Sequence, residues 1–234
     1  MKQTRRWSLR VLLWIVPLAI LYLYFAGQVS KEISNKDQVA IEKLQLGNSC
    51  AELTGFEAEV VCVRAVQAAI KSLVPDPACP PRGSIIEPSE FLERQKGCCY
   101  DRARFTEKAL MHYGFQTRHV ALYDTQRYGL LGLLFPGVRS HATSEVNTAR
   151  GWMGVDSNFP FLLLTRDGRP LTYRTYATYK NQIADTLLPA DFYQKNLQVI
   201  YGPYSVMVSF MGPTFRLPNL KSMKSYLTFR ISDC

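Results

Sequence analysis

Histidine is scarce in this chain: His112, His119 and His141 are the only three in 234 residues. Imidazole chemistry therefore has few places to sit. Neither His112 nor His119 shares metal-ligand spacing with a pair of cysteines, and both read as ordinary helix and strand positions. There is no acidic loop of the Asp-x-Asp-x-Asp-Gly kind, so calcium and other metals are not expected, nor is any cofactor. No internal repeat and no low-complexity tract is visible. Charged residues make up only 20% and hydrophobic residues 47%, a globular balance that excludes a disordered chain. The net charge of +9 lacks a compact basic run interleaved with aromatics. Its basic residues gather at the ends, at Lys2, Arg5, Arg6 and Arg10 and again at Arg216, Lys221, Lys224 and Arg230. That placement argues against a nucleic-acid partner.

What the front of the chain does contain is an uncharged run from Val11 to Ala26. Counted from Trp7, it approaches the roughly 20 residues needed to cross a bilayer. Basic residues precede it, and Trp7, Tyr22 and Tyr24 stand where interfacial aromatics often do. The expected arrangement is a single-pass anchor over residues 1–27 with the N-terminus in the cytoplasm and the remainder outside it. For a bacterium with two membranes, that means the inner membrane and the periplasm. A cleaved signal peptide is the alternative. The run exceeds the usual span of about 7–15 residues, and Phe25-Ala26-Gly27-Gln28 is a poor cleavage site.

Residues 28–50 read as a polar connector that becomes helical near Val39–Leu44. A second helix is expected from Thr54, with Glu57 completing a capping box, up to Pro75-Asp76-Pro77. Ser89 can cap a short helix ending near Gly97. A longer one follows from about Cys99 to Tyr113, stopped by Gly114, with charged residues mixed among apolar ones as on a helix with one buried face. Thr117–Tyr123 reads as a strand. His141–Val146 and Trp152–Asp156 read as two more, joined at hairpin length. Helices first and an antiparallel meander after them define an α+β fold. Leu162-Leu163-Leu164 is a possible further strand, and no role follows for the residues after about 190.

Cys99, His141 and Asp156 supply a thiol, an imidazole and a carboxylate, in that order, on three adjoining elements. This is the minimum set for a nucleophilic cysteine. Cys99 falls in the first turn of its helix, where the dipole favours a thiolate, and His141 opens a strand from which its ring can reach that turn. Asp156 closes the next strand, close enough to hold the imidazole tautomer. Backbone N–H groups around Cys99 are the natural oxyanion donors. The thiolate would attack an amide carbonyl and form a thioester. His141 would protonate the leaving amine, and water or a second amine would resolve the intermediate.

Gly97-x-Cys99-x-Asp101-x-Ala103, then Gly114 and Arg118, then His141-Ala142 with Glu145-Val146, then Trp152 with Val155-Asp156, resembles the core of the transglutaminase-like superfamily. The resemblance covers about residues 90–160. It implies a papain-like fold, with a Cys-bearing helix packed on an antiparallel sheet that carries His and Asp. It also implies triad roles for Cys99, His141 and Asp156 on a protein, peptide or cell-envelope amide substrate. The domain would run over 51–190, with 191–234 an unassigned tail. Two positions depart from the pattern: Thr143 where an aromatic commonly follows His-Ala, which bears on the wall of the substrate groove, and Ser157 where a proline often follows the Asp. Some members of the superfamily have lost activity, so a non-catalytic binding or scaffolding domain is the alternative.

The bland readings are a structural or disulfide-bonded Cys99, a surface histidine at 141, and a turn residue at Asp156 ahead of Asn158 and Pro160. Cys98 reads as structural. Six cysteines outside the cytoplasm suggest disulfides. Proximity suggests Cys50 with Cys62 and Cys79 with Cys98, which would leave Cys99 reduced.

Overall fold

The computed structural model describes residues 14–15, 17–18, 31–51, 53–74, 86–126, 140–184, 190–193 and 197–201. Apart from four helical positions the expected anchor lies outside them, and no helix among the described residues is long and apolar enough to cross a membrane. Cys79, the stretch 127–139 and everything past 201 also lie outside.

Among the described residues from 31 onward, four α-helices precede the sheet: α1 (Asn35–Glu42), α2 (Phe56–Leu73), α3 (Pro88–Arg94) and α4 (Cys99–His112). Their starts differ from the expected ones for local reasons. α1 begins earlier because Ser34 and Asp37 form a reciprocal cap, with Asp37 N–H on Ser34 Oγ and Ser34 N–H on Asp37 Oδ2. α2 is entered through Gly55 at φ +92° with no side-chain cap, so Thr54 plays no capping part. α3 takes Pro88 as its first residue in place of a Ser89 cap; a proline there forfeits only an N–H that the helix leaves unused. At the end of α4, Gly114 adopts φ +89° and lets Phe115 N–H return to the Leu110 carbonyl at 3.0 Å, as a glycine stop should.

The sheet is wholly antiparallel, in the order β3 (Gly151–Val155), β2 (Ser140–Thr148), β1 (Gln116–Asp124), β4 (Leu197–Tyr201). The α+β expectation and the β2–β3 hairpin are therefore present. Strand β4 was not foreseen. Neither was helix α5 (Tyr173–Tyr179), and Leu162 and Leu164 make only isolated bridges, to Val155 and Pro170.

Alternation along the strands sorts side chains into two cores, one on each face. Val146, Met153 and Val155 join the α1–α4 core, together with Phe91, Phe105 and Leu110. Val120 and Leu122 join a second core with Phe161, Leu163, Tyr173, Tyr176, Phe192 and Tyr193; the last two lie on the short helix α6 (Ala190–Tyr193). Helix α4 thus sits between the other helices and the sheet, and it is buried on all sides. Arg102, Arg104, Glu107 and Lys108 are all enclosed, which corrects the expectation of one buried face. They are tolerated because they are paired. Lys108 Nζ lies 2.7 Å from both Asp37 Oδ2 and Glu87 Oε2, and Arg104 reaches the other Glu87 oxygen at 2.5 Å.

Gly97 shows why the turn into α4 needs a residue without a side chain. A Cβ there would stand 1.9 Å from the Phe91 ring, which packs edge-on against Phe105. Gly97→Ala is expected to lower unfolding free energy by about 1–3 kcal/mol, the usual cost of overpacking. Urea denaturation of variant and wild type checks this.

Candidate active site

The turn at the N-terminus of α4 is held by Asp101, its third residue. Its Oδ2 accepts from the Cys98 amide at 3.0 Å and from the Cys98 thiol at 3.4 Å. Burial raises the Asp101 carboxyl above its ordinary value, although both Cys98 bonds and nearby arginines oppose this. Cys98 keeps its thiol, so the expected Cys79–Cys98 bridge does not form. The Cys50–Cys62 disulfide is present and ties the 3-10 turn Gly47–Cys50 to α2.

Cys99 is 3% exposed, and its Sγ lies 3.5 Å from the amide nitrogen of Ala142, the residue after His141. It is disulfide-bonded. The expectation that Cys99 is the reduced cysteine and Cys98 the bridged one is therefore reversed. The physical reason is local: the Cys98 sulfur is turned to Asp101 as part of the helix cap, and the neighbouring Cys99 sulfur faces away from it, toward β2.

His141 and Asp156 meet directly. His141 Nε2 is 2.8 Å from Asp156 Oδ2, with both side chains buried. The pairing is diagonal rather than straight across the hairpin. The last ladder pair is Ser144–Val155, so Asp156 falls opposite Thr143, and His141 is two residues further along on the same face. The Asp156 carboxylate has four donors. Oδ1 takes the amides of Asn158 (2.7 Å) and Phe159 (2.8 Å), and Oδ2 takes His141 and the hydroxyl of Tyr193. Burial alone would raise this carboxyl, but the charge and hydrogen bond of His141, the Tyr193 hydroxyl and the Phe159 amide outweigh it. The group lies below its ordinary value. Burial and the adjacent Asp156 push Tyr193 well above the usual phenol range, so it remains a donor.

The loop after Asp156 is clamped from α2 by Gln67. Its Nε2 reaches the carbonyls of Asp156, Phe159 and Phe161 at 2.8, 2.9 and 3.0 Å. Arg102 adds a bond from α4 to Asn158 at 2.8 Å. Gln67→Leu takes its donor from the Asp156 carbonyl, while those of Phe159 and Phe161 keep the amides of Phe161 and Asp156, and it is expected to cost about 1–3 kcal/mol, the usual penalty of one unsatisfied buried group. The result would appear as a lower urea midpoint with an unchanged m-value.

The two departures from the family pattern have local explanations. Thr143 is fully buried, donating to the Val155 carbonyl at 2.6 Å and meeting Tyr173 Oη at 2.8 Å. It is therefore not a groove wall. The side chain that does reach solvent beside His141 is Phe159, 37% exposed with ring centroids 6.5 Å apart. Ser157 Oγ bonds the Ala142 carbonyl at 2.6 Å. Arg118, Glu145 and Trp152, which helped carry the resemblance, form a brace. Buried Glu145 accepts from Arg118 Nε at 2.8 Å, Tyr173 N–H at 2.7 Å and Tyr201 Oη at 3.2 Å, while the guanidinium lies between the Trp152 and Tyr201 rings.

Among the described residues no group of three His, Cys, Asp or Glu side chains is placed to hold a metal ion. The arrangement can hold one imidazole in a fixed tautomer, with Nε2–H toward Asp156 and Nδ1 left to take or give a proton. Tyr193, on α6, is the member that sequence reasoning missed. Its signal, an aromatic pair at Phe192-Tyr193, is too short to carry a period. No protein-family model matches the chain, and no match is found among curated proteins.

Proposed function

We propose that the chain is a membrane-anchored, transglutaminase-like cysteine hydrolase or acyltransferase whose nucleophile, Cys99, is released by reduction. The observation that carries this reading is the buried His141–Asp156 pair at 2.8 Å with the Cys99 sulfur one backbone step away. A dithiol reductant would convert the Cys99 disulfide to two thiols and itself become a disulfide. Cys99 would then pass its proton to His141, attack an amide carbonyl carbon and form a thioester. His141 would return the proton to the departing amine, and water or a second amine would release the acyl group. The Cys50–Cys62 bridge supports placing the domain in an oxidising compartment outside the cytoplasm. Protein, peptide and envelope amides are the substrate classes that fit this chemistry. Nucleic acid is not among the proposed partners.

A second reading, a non-catalytic binding or scaffolding domain of the same architecture, is favoured by one observation: Cys99 is bridged and almost wholly enclosed. Acyl trapping separates the two. Reduced full chain is mixed with activated esters and peptide amides, and intact mass is read at low pH. The enzyme reading expects an acyl adduct on Cys99 that hydroxylamine removes and that His141→Ala abolishes. Adducts only on lysines, or equally on Cys98, would favour the scaffold.

A further inference from the structure

Asp156 takes two donors on the same oxygen, and only one of them is the imidazole. The other is the hydroxyl of Tyr193, from a helix of four residues in the part of the chain that has no counterpart in the family motif. We infer that Tyr193 is a positioning residue, whose hydroxyl fixes Asp156 and sets how strongly that carboxylate draws a proton onto His141. This rests on the proposed Cys99–His141–Asp156 reading.

Asp156 is the carboxylate that the Tyr193 hydroxyl reaches, and the Tyr173 phenol is its other side-chain partner. The ring is buried among Phe161, Tyr173, Tyr176 and Phe192, with centroids 5.2 to 6.2 Å away, and stands edge-on to His141 at 6.3 Å. A phenylalanine would fill that space equally well. α6 is held independently, since Tyr176 Oη donates to the Tyr193 carbonyl at 3.0 Å. The hydroxyl adds a second hydrogen bond to an oxygen that would otherwise direct its full charge at the imidazole. A carboxylate with fewer donors is a stronger base and a stronger partner for a cation. Among the described residues the titratable groups about the pair are Tyr173 from α5 and Tyr193 from α6, and Cys99 from α4 reaches the Ala142 amide next to His141. Arg102 approaches only through Asn158.

The test is nuclear magnetic resonance of the reduced full chain, ¹⁵N-labelled at histidine. Three histidines make assignment direct, with His141→Ala identifying the signal. In Tyr193→Phe, His141 is expected to hold its proton to higher pH by about half a unit, roughly threefold in proton affinity. Its Nε2–H proton is expected further downfield. Tyr201→Phe, which loses a hydroxyl at the edge of the same aromatic cluster, bonded to Glu145 and not to Asp156 or the α6 backbone, is expected to leave both unchanged. No shift in Tyr193→Phe, a shift to lower pH, or an equal shift in Tyr201→Phe would overturn the assignment. Thiol labelling of reduced wild type, run alongside, tests the catalytic reading separately. Ordinary Cys99 reactivity indifferent to His141→Ala sinks that reading and the positioning role with it. Fast, His141-dependent labelling without the resonance shift sinks the Tyr193 role alone.

Discussion

Lys108→Met is expected to lower the unfolding free energy by about 3–5 kcal/mol, the cost of removing one partner from a buried ion pair. Lys108 Nζ sits between Asp37 and Glu87 at 2.7 Å each, and of the two carboxylates Asp37 is the enclosed one. Glu87 keeps Arg104 and is partly exposed, whereas Asp37 loses the one cation paired with it among the described residues. Burial pushes the Asp37 carboxyl up, but Lys108 together with the Ser34 backbone and hydroxyl bonds overcomes it, and the group lies below its ordinary value. A lowered carboxyl contributes stability that is present above its unfolded value and lost as pH falls through the folded one. Wild type should therefore weaken on acidification. In Lys108→Met the opposing terms shrink and burial dominates, so the deficit should narrow toward low pH as Asp37 protonates. The double variant Asp37→Leu, Lys108→Met should recover part of the loss, short of the α1 cap that Asp37 also supplies. Urea midpoints for the four chains at neutral and acid pH give the complete cycle.

Asp156→Asn is expected to cost about 10⁴-fold in turnover, by the logic of a triad forced into the wrong tautomer. An amide can turn its oxygen to the Asn158 and Phe159 amides, which leaves its NH₂ facing His141 and Tyr193. The tyrosine can rotate its hydroxyl to accept. His141 can respond only by accepting at Nε2, which moves its proton to Nδ1 and removes the lone pair that a thiol needs. Fold stability should suffer less than activity, because most partners survive. The acid weakening tied to the lowered Asp156 carboxyl should vanish. Turnover of any amide or ester found by acyl trapping, with circular dichroism on the same samples, separates the two effects.

Much of the scaffold was legible because its signals are local. Gly114 stops α4, β2 and β3 are joined at hairpin length, and Cys99, His141 and Asp156 fall on adjoining elements. What could not be read depends on tertiary partners. Arg102, Arg104 and Lys108 look like a solvated face until Asn158, Glu87 and Asp37 are brought to them from distant segments. Tyr173 and Tyr176, three apart, are too few to announce a helix. Tyr193 and β4 lie beyond the last periodic stretch, and their roles exist only once the sheet is assembled. The cysteines were misread because proximity in sequence does not say which way a sulfur points. Cys98 and Cys99 differ by one residue, and the Asp101 cap turns the first away from the bridge that the second makes.

On the proposed function, Cys99 becomes an activated nucleophile once reduced. The direct measurement is the rate of labelling by a thiol-directed electrophile at pH 6, before and after dithiol reduction. It is made in wild type, Cys98→Ala, Cys99→Ala and His141→Ala, with the modified residue located by peptide mass mapping. No labelling is expected at Cys99 before reduction. After it, labelling should run about tenfold faster than in His141→Ala, since a thiolate fraction raised some hundredfold is partly offset by the lower nucleophilicity of a more acidic thiol. Cys98→Ala should leave that rate unchanged. Reduced Cys99 that labels slowly, with the pH profile of an ordinary thiol and no response to His141→Ala, would contradict the proposed function.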